Sequence, residues 1–227
     1  MTPINDVVSQ CNRTNDSRKK SGLWRRPRLR QSAMPQLPNA TTSPRLVLRA
    51  WTTEDVPAVG EAIMASLDHL LPWMPWAAFE PAPPGDRIAL FQRWNREWLD
   101  GGDAVFGIFA AGGGTLPAGA VLGGAGLHRR IGPDGLEIGY WVHAAHARQG
   151  IATEAARALT DLAFTVTGIE RVEIHHDRNN VASGGVPRTL GYSRVGELPR
   201  DVTAPGECGV LVSWRVTRHD WLVRRTE

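Results

Sequence analysis

The amino-acid sequence predicts a single α/β domain in which helices flank a mixed sheet, rather than a doubly wound parallel sheet. Strand-like segments dominate the chain. Strand and helix alternate only in its second half, where two helices occupy the positions of crossover connections. No internal repeat is present. With 227 residues, of which 42% are apolar, the chain is long enough to enclose one sizeable core.

The regular pattern of the first half begins at Pro44, where the composition changes. Residues 45–49 alternate polar and apolar side chains, which is typical of a half-buried strand. Thr52 or Thr53, followed by two acidic residues, is a good helix start, and the apolar residues that follow recur at helical spacing. The two prolines of the segment 71–76 then predict an irregular path.

A second helix is predicted from Asp86, because apolar residues recur on one side as far as Trp98 and a glycine pair ends the pattern at Gly101. The remaining segments are predicted as strands at residues 104–110, 118–128, 136–142, 171–176, 192–198 and 209–216, and as helices at 151–166 and 183–190. The stretch 151–166 is the strongest of these helices, because it is rich in alanine and leucine.

Positive charge is concentrated at the start of the chain. Residues 1–34 carry eight arginine and lysine residues against two aspartates, a local net charge of +6, so the remainder carries −3 of the total of +3. We predict a disordered basic arm at residues 1–43 and a domain at 44–220. Most such arms are simply solvated, although this one could touch nucleic acid. Met34, which precedes proline-rich sequence, leaves open that translation starts there.

The composition disfavours several classes of protein. No run of about 18 apolar residues occurs and the N-terminus lacks the apolar segment of a signal peptide, so we expect a cytoplasmic protein without a membrane span. Cys11 and Cys208 show no metal-ligand spacing and cannot form a framework of several disulfides, so we expect free thiols and no metal site. The negative charge of residues 35–227 disfavours a nucleic-acid-binding domain.

The stretch 139–154 carries the strongest functional signal. It places a strand, a turn with Arg148 and Gly150, and a helix N-terminus in succession. The first amides of a helix lack partners within it and carry partial positive charge, so this turn suits a diphosphate. Glycine lets the backbone approach such a ligand, and the small Ala152 leaves the first helical turn uncrowded. An ordinary strand-to-helix turn explains the same residues equally well.

The same stretch resembles the coenzyme A loop of the GCN5-related N-acetyltransferase (GNAT) superfamily, which reads Gln/Arg-x-x-Gly-x-Gly/Ala. Residues 147–152 read Ala-Arg-Gln-Gly-Ile-Ala, so only Ala147 departs from the pattern. The RimJ/RimL-like branch, which acetylates the N-termini of ribosomal proteins, is resembled at residues 44–49, 137–142, 180–183 and 190–192. The likeness runs in the right order through about residues 44–217.

The resemblance implies a mostly antiparallel sheet in which two central parallel strands, here 136–142 and 171–176, splay apart around acetyl-CoA. Main-chain groups of Tyr140, Trp141 and Val142 would pair with the pantetheine, and one amide there would stabilise the developing oxyanion. Asn180 would bind the pantetheine or fix its loop. The diphosphate would be held by the amides of Arg148, Gln149, Gly150, Ile151, Ala152 and Thr153, with added charge from the Arg148 side chain.

Two residues are candidates for catalysis. Glu137 lies on the strand that would frame the acetyl group and could take the proton of the amine, directly or through a water; pairing with an arginine would explain it as well. Rival bases are the histidines at positions 128, 143, 146, 175 and 176. Ser183 has the position that assists the leaving thiolate in RimL-like members, while Pro187 stands where many GNAT members have a tyrosine. Ser183 could equally be a helix N-cap.

Trp73 and Trp76, stiffened by neighbouring prolines, could form a wall of the acceptor pocket or belong partly to the core. We therefore expect an N-acetyltransferase that moves the acetyl group of acetyl-CoA to a primary amine in a ternary complex, as a monomer or homodimer. The amine could belong to a protein N-terminus or to a small molecule, because fold-level likeness does not choose among acceptors. A coenzyme A-binding regulatory module without turnover is the alternative.

Overall fold

The computed structural model describes residues 35–113 and 115–224, and over these residues the chain forms one eight-stranded sheet. The strands are β1 (Ala40–Thr42), β2 (Leu46–Ala50), β3 (Ala104–Ala110), β4 (Val121–His128), β5 (Gly135–Val142), β6 (Arg171–Asp177), β7 (Ser193–Pro199) and β8 (Val210–Thr217). The helices are α1 (Val56–Met64), α2 (Leu67–Leu70), α3 (Pro84–Leu99), α4 (Ile151–Ala163), α5 (Val181–Thr189) and α6 (Arg218–Val223).

The strand order is β1-β2-β3-β4-β5-β6-β8-β7, and neighbouring strands are antiparallel except for the parallel pair β5 and β6. This pair is joined only at its beginning, where residues 135–137 pair with 171–173. Further along, β5 continues to Val142 and β6 to Asp177 without pairing with each other. The two strands diverge, so the predicted fold class, a mostly antiparallel sheet with a splayed central parallel pair, is confirmed.

One face of the sheet is covered by α4, which presents small and apolar side chains at helical spacing. Ile151, Ala155, Leu159 and Ala163 are buried, and they belong to the larger core cluster together with Leu136 of β5. Because alanine has almost no side chain, this helix can lie close to the sheet. Its N-terminus is therefore held firmly above the end of β5.

The opposite face is covered by α1 and α3 around an aromatic cluster. Phe91 of α3 stacks on Trp51 with ring centroids 5.4 Å apart, and Phe109 of β3 meets the same indole edge-on at 5.3 Å. Trp94 stacks on Phe91 and continues the apolar side of α3 that the sequence predicts. These contacts fix the first half of the chain against the sheet.

The domain begins earlier than predicted. The sequence places residues 1–43 in a disordered arm, but β1 pairs with β2 and Leu37 is fully buried, so residues 35–43 belong to the domain. The indole of Trp98 donates a hydrogen bond to the carbonyl of Leu37. β1 is too short for an alternating pattern, and it is ordered because an existing strand edge accepts it. Residues 1–34 lie outside the described residues.

The domain also continues beyond its predicted end at residue 220, because α6 packs on the sheet through Trp221. This indole is 3% exposed and donates a hydrogen bond of 2.7 Å to Asp161 of α4. Thr217 caps the helix by accepting a hydrogen bond from the amide of Asp220. None of the helices in the described part of the chain is long and apolar enough to cross a membrane.

Candidate active site

The turn after β5 is shaped by two residues with left-handed backbone conformation. Arg148 has φ 58°, and Gly150, the N-cap of α4, has φ 80°. Both residues are exposed, as is Gln149 between them. The amides at the start of α4 have no acceptors within the helix and point out of this exposed turn. The turn therefore offers N–H donors and partial positive charge to an anion.

Arg45 lies at this turn, although it is distant in sequence. Its guanidinium binds Glu154 of α4 at 2.6 Å and donates a hydrogen bond of 3.1 Å to the carbonyl of Gln149. A Cβ atom added at Gly150 would lie 3.4 Å from a terminal nitrogen of the same guanidinium. Arg45 thus adds positive charge beside the exposed amides, and it neutralises the carboxylate of Glu154.

Among the residues that the structure describes, no strand pairs with the edge of β5 that leads to the turn. After Glu137, the β6-facing edge of β5 is unpaired over residues 138–142, while its other edge remains paired with β4. Unpaired main-chain N–H and C=O groups on a strand edge can bind an extended ligand as an additional strand would. Tyr140, Trp141 and Val142 all lie on this free stretch.

The N-terminus of α5 brings two hydroxyl groups together at the other side of the gap. Asn180 is the N-cap and its side chain accepts a hydrogen bond of 3.1 Å from the amide of Ser183, so the alternative of Ser183 as N-cap is wrong. The phenol of Tyr140 donates to the carbonyl of Ser183 at 3.0 Å and lies 3.2 Å from its hydroxyl. Burial raises the pKa of this phenol, and the contact with Ser183 offsets only part of that effect.

Pro187 explains why this tyrosine contact exists. A helix carbonyl normally accepts from the amide four residues later, but the residue four after Ser183 is Pro187, which has no N–H. The carbonyl of Ser183 is therefore left for the phenol of Tyr140. The glycine at position 184 is explained by packing, because a Cβ atom there would lie 2.6 Å from the ring of His176.

Glu137 is the last residue of β5 that pairs with β6, and it is almost fully buried in a charged cluster. Arg130 holds both of its carboxylate oxygens, at 2.8 and 2.6 Å, and a ring nitrogen of His175 lies 3.3 Å away. Burial alone would raise the pKa of Glu137, but the hydrogen bonds with His175 and Arg130 outweigh it and lower the pKa to about 2. Such a carboxylate is a weak base, so the geometry favours the ion-pair interpretation of Glu137.

The same cluster holds His175 in its charged form. Its other ring nitrogen lies 2.7 Å from Glu173, a carboxylate that also binds Arg215. Burial lowers the pKa of His175, but Glu137 and Glu173 outweigh it and raise the pKa to about 9. At neutral pH this imidazole is already protonated and is not available as a base.

The predicted acceptor wall lies beside the free strand edge. Trp76 meets the indole of Trp141 edge-on, with ring centroids 6.2 Å apart. Trp73 lies near Gly206 in the loop between β7 and β8, and the amide of Gly206 donates to the carbonyl of Pro72 at 2.9 Å. Both tryptophans are half-buried, and Trp76 packs against the smaller core cluster.

The loop of Gly206 is anchored to the end of β6 by Asp177. This buried carboxylate accepts hydrogen bonds from the amides of Cys208 and Gly209, each at 3.0 Å. Burial would raise the pKa of Asp177, but these main-chain donors lower it to about 2. The wall is thus held by charge-assisted hydrogen bonds to the main chain.

Residues 45–193 match the acetyltransferase (GNAT) domain. The chain belongs to the GNAT acetyltransferase family. Its splayed strands, its turn at Gly150 and the free edge of β5 are therefore parts of a GNAT domain.

Solved structures with the same fold cover most of this acetyltransferase. A probable acetyltransferase superposes with a TM-score of 0.70 at 23% identity, over 80% of this chain and 98% of its own. RimL, a ribosomal L7/L12 α-N-protein acetyltransferase in complex with coenzyme A, superposes at 0.67 with 21% identity, over 78% and 96%. RimJ of Mycobacterium smegmatis, in complex with a CoA-disulfide, superposes at 0.65 with 22% identity, over 80% and 89%.

Most of the predicted site residues of this GNAT domain lie on β5, at the start of α5 or in the turn before α4. The turn from Arg148 to Thr153, the strand from Tyr140 to Val142, and the pair Asn180 and Ser183 all surround the splayed gap. The side chain of Ile151 is buried in the core, so only its main chain can face this turn. No group of three or more His, Cys, Asp or Glu side chains within residues 35–113 and 115–224 could hold a metal ion.

Sequence reasoning missed two residues of the site and one side-chain role. Arg45 was read only as part of a strand, since nothing local connects it to a turn about 100 residues later. Asp103, which precedes β3, was not singled out, although it lies 2.7 Å from His128. Tyr140 was assigned a main-chain role, and its phenol contact with Ser183 depends on tertiary packing.

Proposed function

We propose that this protein is an N-acetyltransferase that moves the acetyl group of acetyl-CoA to a primary amine by direct attack in a ternary complex. The main support is the β6-facing edge of β5, which is unpaired over residues 138–142. This edge leads into the left-handed turn at Gly150 and the exposed start of α4. An extended chain that ends in a diphosphate matches this succession of a strand edge and an anion site.

The donor is bound mainly by main-chain groups. The amides of residues 148–153 hold the diphosphate, with charge from the side chains of Arg148 and Arg45. The small side chain of Ala152 leaves room for phosphate oxygens in the first turn of α4. The pantetheine lies along Tyr140, Trp141 and Val142, and an amide of this stretch faces the thioester carbonyl. Because that donor is fixed before reaction, it stabilises the oxyanion at no cost of reorganisation.

The leaving thiolate is assisted from the N-terminus of α5. Ser183 donates a hydrogen bond toward the sulfur, and Tyr140, 3.2 Å from the hydroxyl, positions it from the other side. Neither hydroxyl is acidic, so each acts as a donor or relay rather than as a strong acid. Asn180 acts indirectly here, because it fixes the start of the helix that carries Ser183.

We propose the α-amino group of a protein or peptide as acceptor, with Trp73 and Trp76 as the wall against which it lies. Support comes from the structural similarity to RimL, which is itself a ribosomal L7/L12 α-N-protein acetyltransferase. An α-amino group with an ordinary pKa of about 7.7–8.0 is partly neutral at physiological pH, so it needs less help from a base than a lysine does.

One observation favours a second candidate, a coenzyme A-binding regulatory module without turnover. The carboxylate predicted as base, Glu137, is held by Arg130 and His175 and is a weak proton acceptor. A module of this kind would bind acetyl-CoA through the same turn and strand edge but would release no thiol. The two candidates thus agree on donor binding and differ only in chemistry.

The experiment that separates them measures acetyl-CoA binding by calorimetry and thiol release over a panel of amines. The panel contains peptides with a free N-terminal serine, alanine or methionine, acetylated peptides with one lysine, spermidine and an aminoglycoside. We expect binding, thiol release with the free peptides, and no acetyl-enzyme by intact mass. Binding without thiol release from any amine would support the regulatory module, and absence of binding would overturn the donor site.

A further inference from the structure

Glycines create a shallow trough on the sheet face opposite α4. Gly124 and Gly126 of β4 pair with Trp141 and Gly139 of β5, so these positions share one face. Glycine is unfavourable within a strand and marks places where another group approaches the backbone closely. Added Cβ atoms at Gly124 and Gly126 would lie 2.5 Å from the indole nitrogen of Trp141 and 2.6 Å from Nε2 of His128.

Two rings therefore lie on the trough, with Gly139 between them. A Cβ atom at Gly139 would lie 3.5 Å from Nε2 of His128, which is ordinary contact distance. Glu137 is the last residue of β5 that pairs with β6. Gly139 follows two residues later, so it lies where the central strands begin to separate. Nε2 of His128 thus lies over β4 beside Gly139, on the sheet face opposite α4, with β5 between it and the gap in which the thioester would lie.

Asp103 fixes the orientation and tautomer of this histidine. Nδ1 of His128 lies 2.7 Å from the carboxylate, whose other oxygen accepts from the amide of Arg129 at 2.8 Å. Burial would raise the pKa of Asp103, but the hydrogen bond and charge interaction with His128, together with the amide of Arg129 and the charge of Arg130, outweigh it and lower the pKa, so the carboxylate is ionised. The proton of a neutral imidazole then lies on Nδ1, which leaves the lone pair on Nε2.

The other candidates for a base on this face are already engaged. Arg130 and His175 occupy Glu137, and His175 itself is held protonated between two glutamates. His176 accepts a hydrogen bond of 3.0 Å from the indole of Trp214 and is turned toward the other face. For Nε2 of His128, by contrast, the described part of the chain provides no hydrogen-bond partner.

We infer that His128, positioned by Asp103, is the catalytic residue that takes the proton of the attacking amine; this rests on the proposed acetyl transfer. An ammonium group above Gly139 passes one proton to Nε2, and the neutral nitrogen attacks the thioester carbon to form the C–N bond. The C–S bond then breaks and the thiolate leaves. A second amine proton ends on coenzyme A as its thiol, and His128 returns its proton to water, so one proton is released for each amide formed.

The experiment compares wild-type protein with His128→Gln, Asp103→Asn and His219→Gln on an amine that wild-type protein acetylates. His219 is an exposed histidine of α6 and serves as the matched control. Loss of a general base lowers turnover by about 10²–10⁴-fold, so we expect a fall of about 100-fold for His128→Gln and a smaller fall for Asp103→Asn. Acetyl-CoA affinity, measured by calorimetry, stays unchanged in all three variants.

Two further readouts separate a proton acceptor from a structural residue. Added imidazole restores turnover to His128→Ala but not to Asp103→Asn, because a small base can fill only the space that the ring leaves. The acidic limb of the kcat/KM profile disappears in His128→Gln. The charged and titratable groups around this ring are Asp103, which contacts it, and Glu137, its cross-strand neighbour. Arg130 and His175 are bound to the carboxylate of Glu137.

The outcomes distinguish this inference from the proposed function. Wild-type protein that binds acetyl-CoA but acetylates no amine overturns both the transfer and the role of His128. Active wild-type protein with equally active His128→Gln overturns the role of His128 alone. A third outcome also overturns the role of His128. His128→Gln is then defective but keeps the pH profile of wild-type protein, and imidazole does not restore turnover to His128→Ala. The ring would then have a structural role only.

Discussion

The two sides of the β5–β6 gap are built in different ways. The side proposed for the donor consists of the turn at Gly150, the start of α4 and the free edge of β5, and it offers mainly main-chain groups. The side proposed for the acceptor consists of side chains of β4, β5 and β6 and of two loop residues, Asp103 and Arg130. One side thus depends on backbone conformation over a few consecutive residues, and the other on charges that only the folded sheet brings together.

This difference predicts how each side responds to change. A main-chain site is insensitive to most side-chain substitutions but fails when the backbone cannot adopt its conformation. A side-chain site responds to pH and to single substitutions, because its members hold one another's pKa values away from their ordinary range. The following experiments test whether the two sides behave differently, in order of decreasing expected effect.

The largest effect is expected for Gly150→Val, which should weaken acetyl-CoA binding by about 100- to 1,000-fold, or about 3–4 kcal/mol. The φ of 80° is costly for a β-branched residue, and the added atoms would lie against Arg45 in the path of the diphosphate. Calorimetry measures the affinity. Gly168→Val is the control, because Gly168 has φ 85° and open space around it, so it shares the strain but not the site.

On the acceptor side, stability should depend on pH through His175. Its pKa of about 9 in the folded protein exceeds the ordinary 6.5, so the contribution is fully present below about pH 6.5 and is lost as pH rises through about 9. The shift corresponds to about 3 kcal/mol of unfolding free energy. Urea unfolding at pH 6, 7.5 and 9.5 measures it. In His175→Gln this decline should disappear, whereas in His219→Gln it should persist.

Ser183→Ala should lower kcat by about 30-fold, or about 2 kcal/mol, because the thiolate loses a hydrogen-bond donor that acts in the transition state. The KM for acetyl-CoA should change little. Tyr140→Phe should give a smaller fall of the same kind, because it positions the hydroxyl from behind. Steady-state kinetics test both variants, with the exposed Ser193→Ala as control. Unchanged kcat in Ser183→Ala would restrict this serine to a structural role at the start of α5.

The smallest effect is expected for Arg45→Gln, which should raise the KM for acetyl-CoA by about fivefold, or about 1 kcal/mol. The variant removes a positive charge beside Gly150 and also leaves Glu154 without its guanidinium partner. Arg93→Gln is the control, because Arg93 forms only a surface pair with Glu97. An affinity that does not change with ionic strength in wild-type protein would contradict this electrostatic contribution.

The sequence predicted the strands and helices that have a strong local pattern. The strands at 104–110, 136–142 and 171–176 and the helix that starts at Ile151 lie where their apolar spacing places them. Two short elements were missed, β1 and α6. β1 has three residues and α6 has six, and both are ordered by what they pack against rather than by their own periodicity.

The turn proposed for the donor could be predicted from the sequence because its elements are local. A strand, a glycine turn and a helix N-terminus are consecutive, and the amides that they expose follow from backbone geometry alone. The acceptor side was not readable, because the partners of Glu137 and His128 come from strands up to about 40 residues away. Only the register of the sheet decides that Glu137 meets Arg130 and His175, and that His128 meets Asp103.

By itself, the sequence predicted a mixed α/β domain, which the structure confirms, and an anion-binding turn at Gly150, which stays a prediction, because periodicity and turn chemistry act over a few neighbouring residues. Tertiary structure alone decided the protonation of the acidic and histidine side chains. A pKa depends on burial and on charges within a few ångströms, and those distances exist only after the strands have paired. It therefore also decided which of these side chains is available to take a proton.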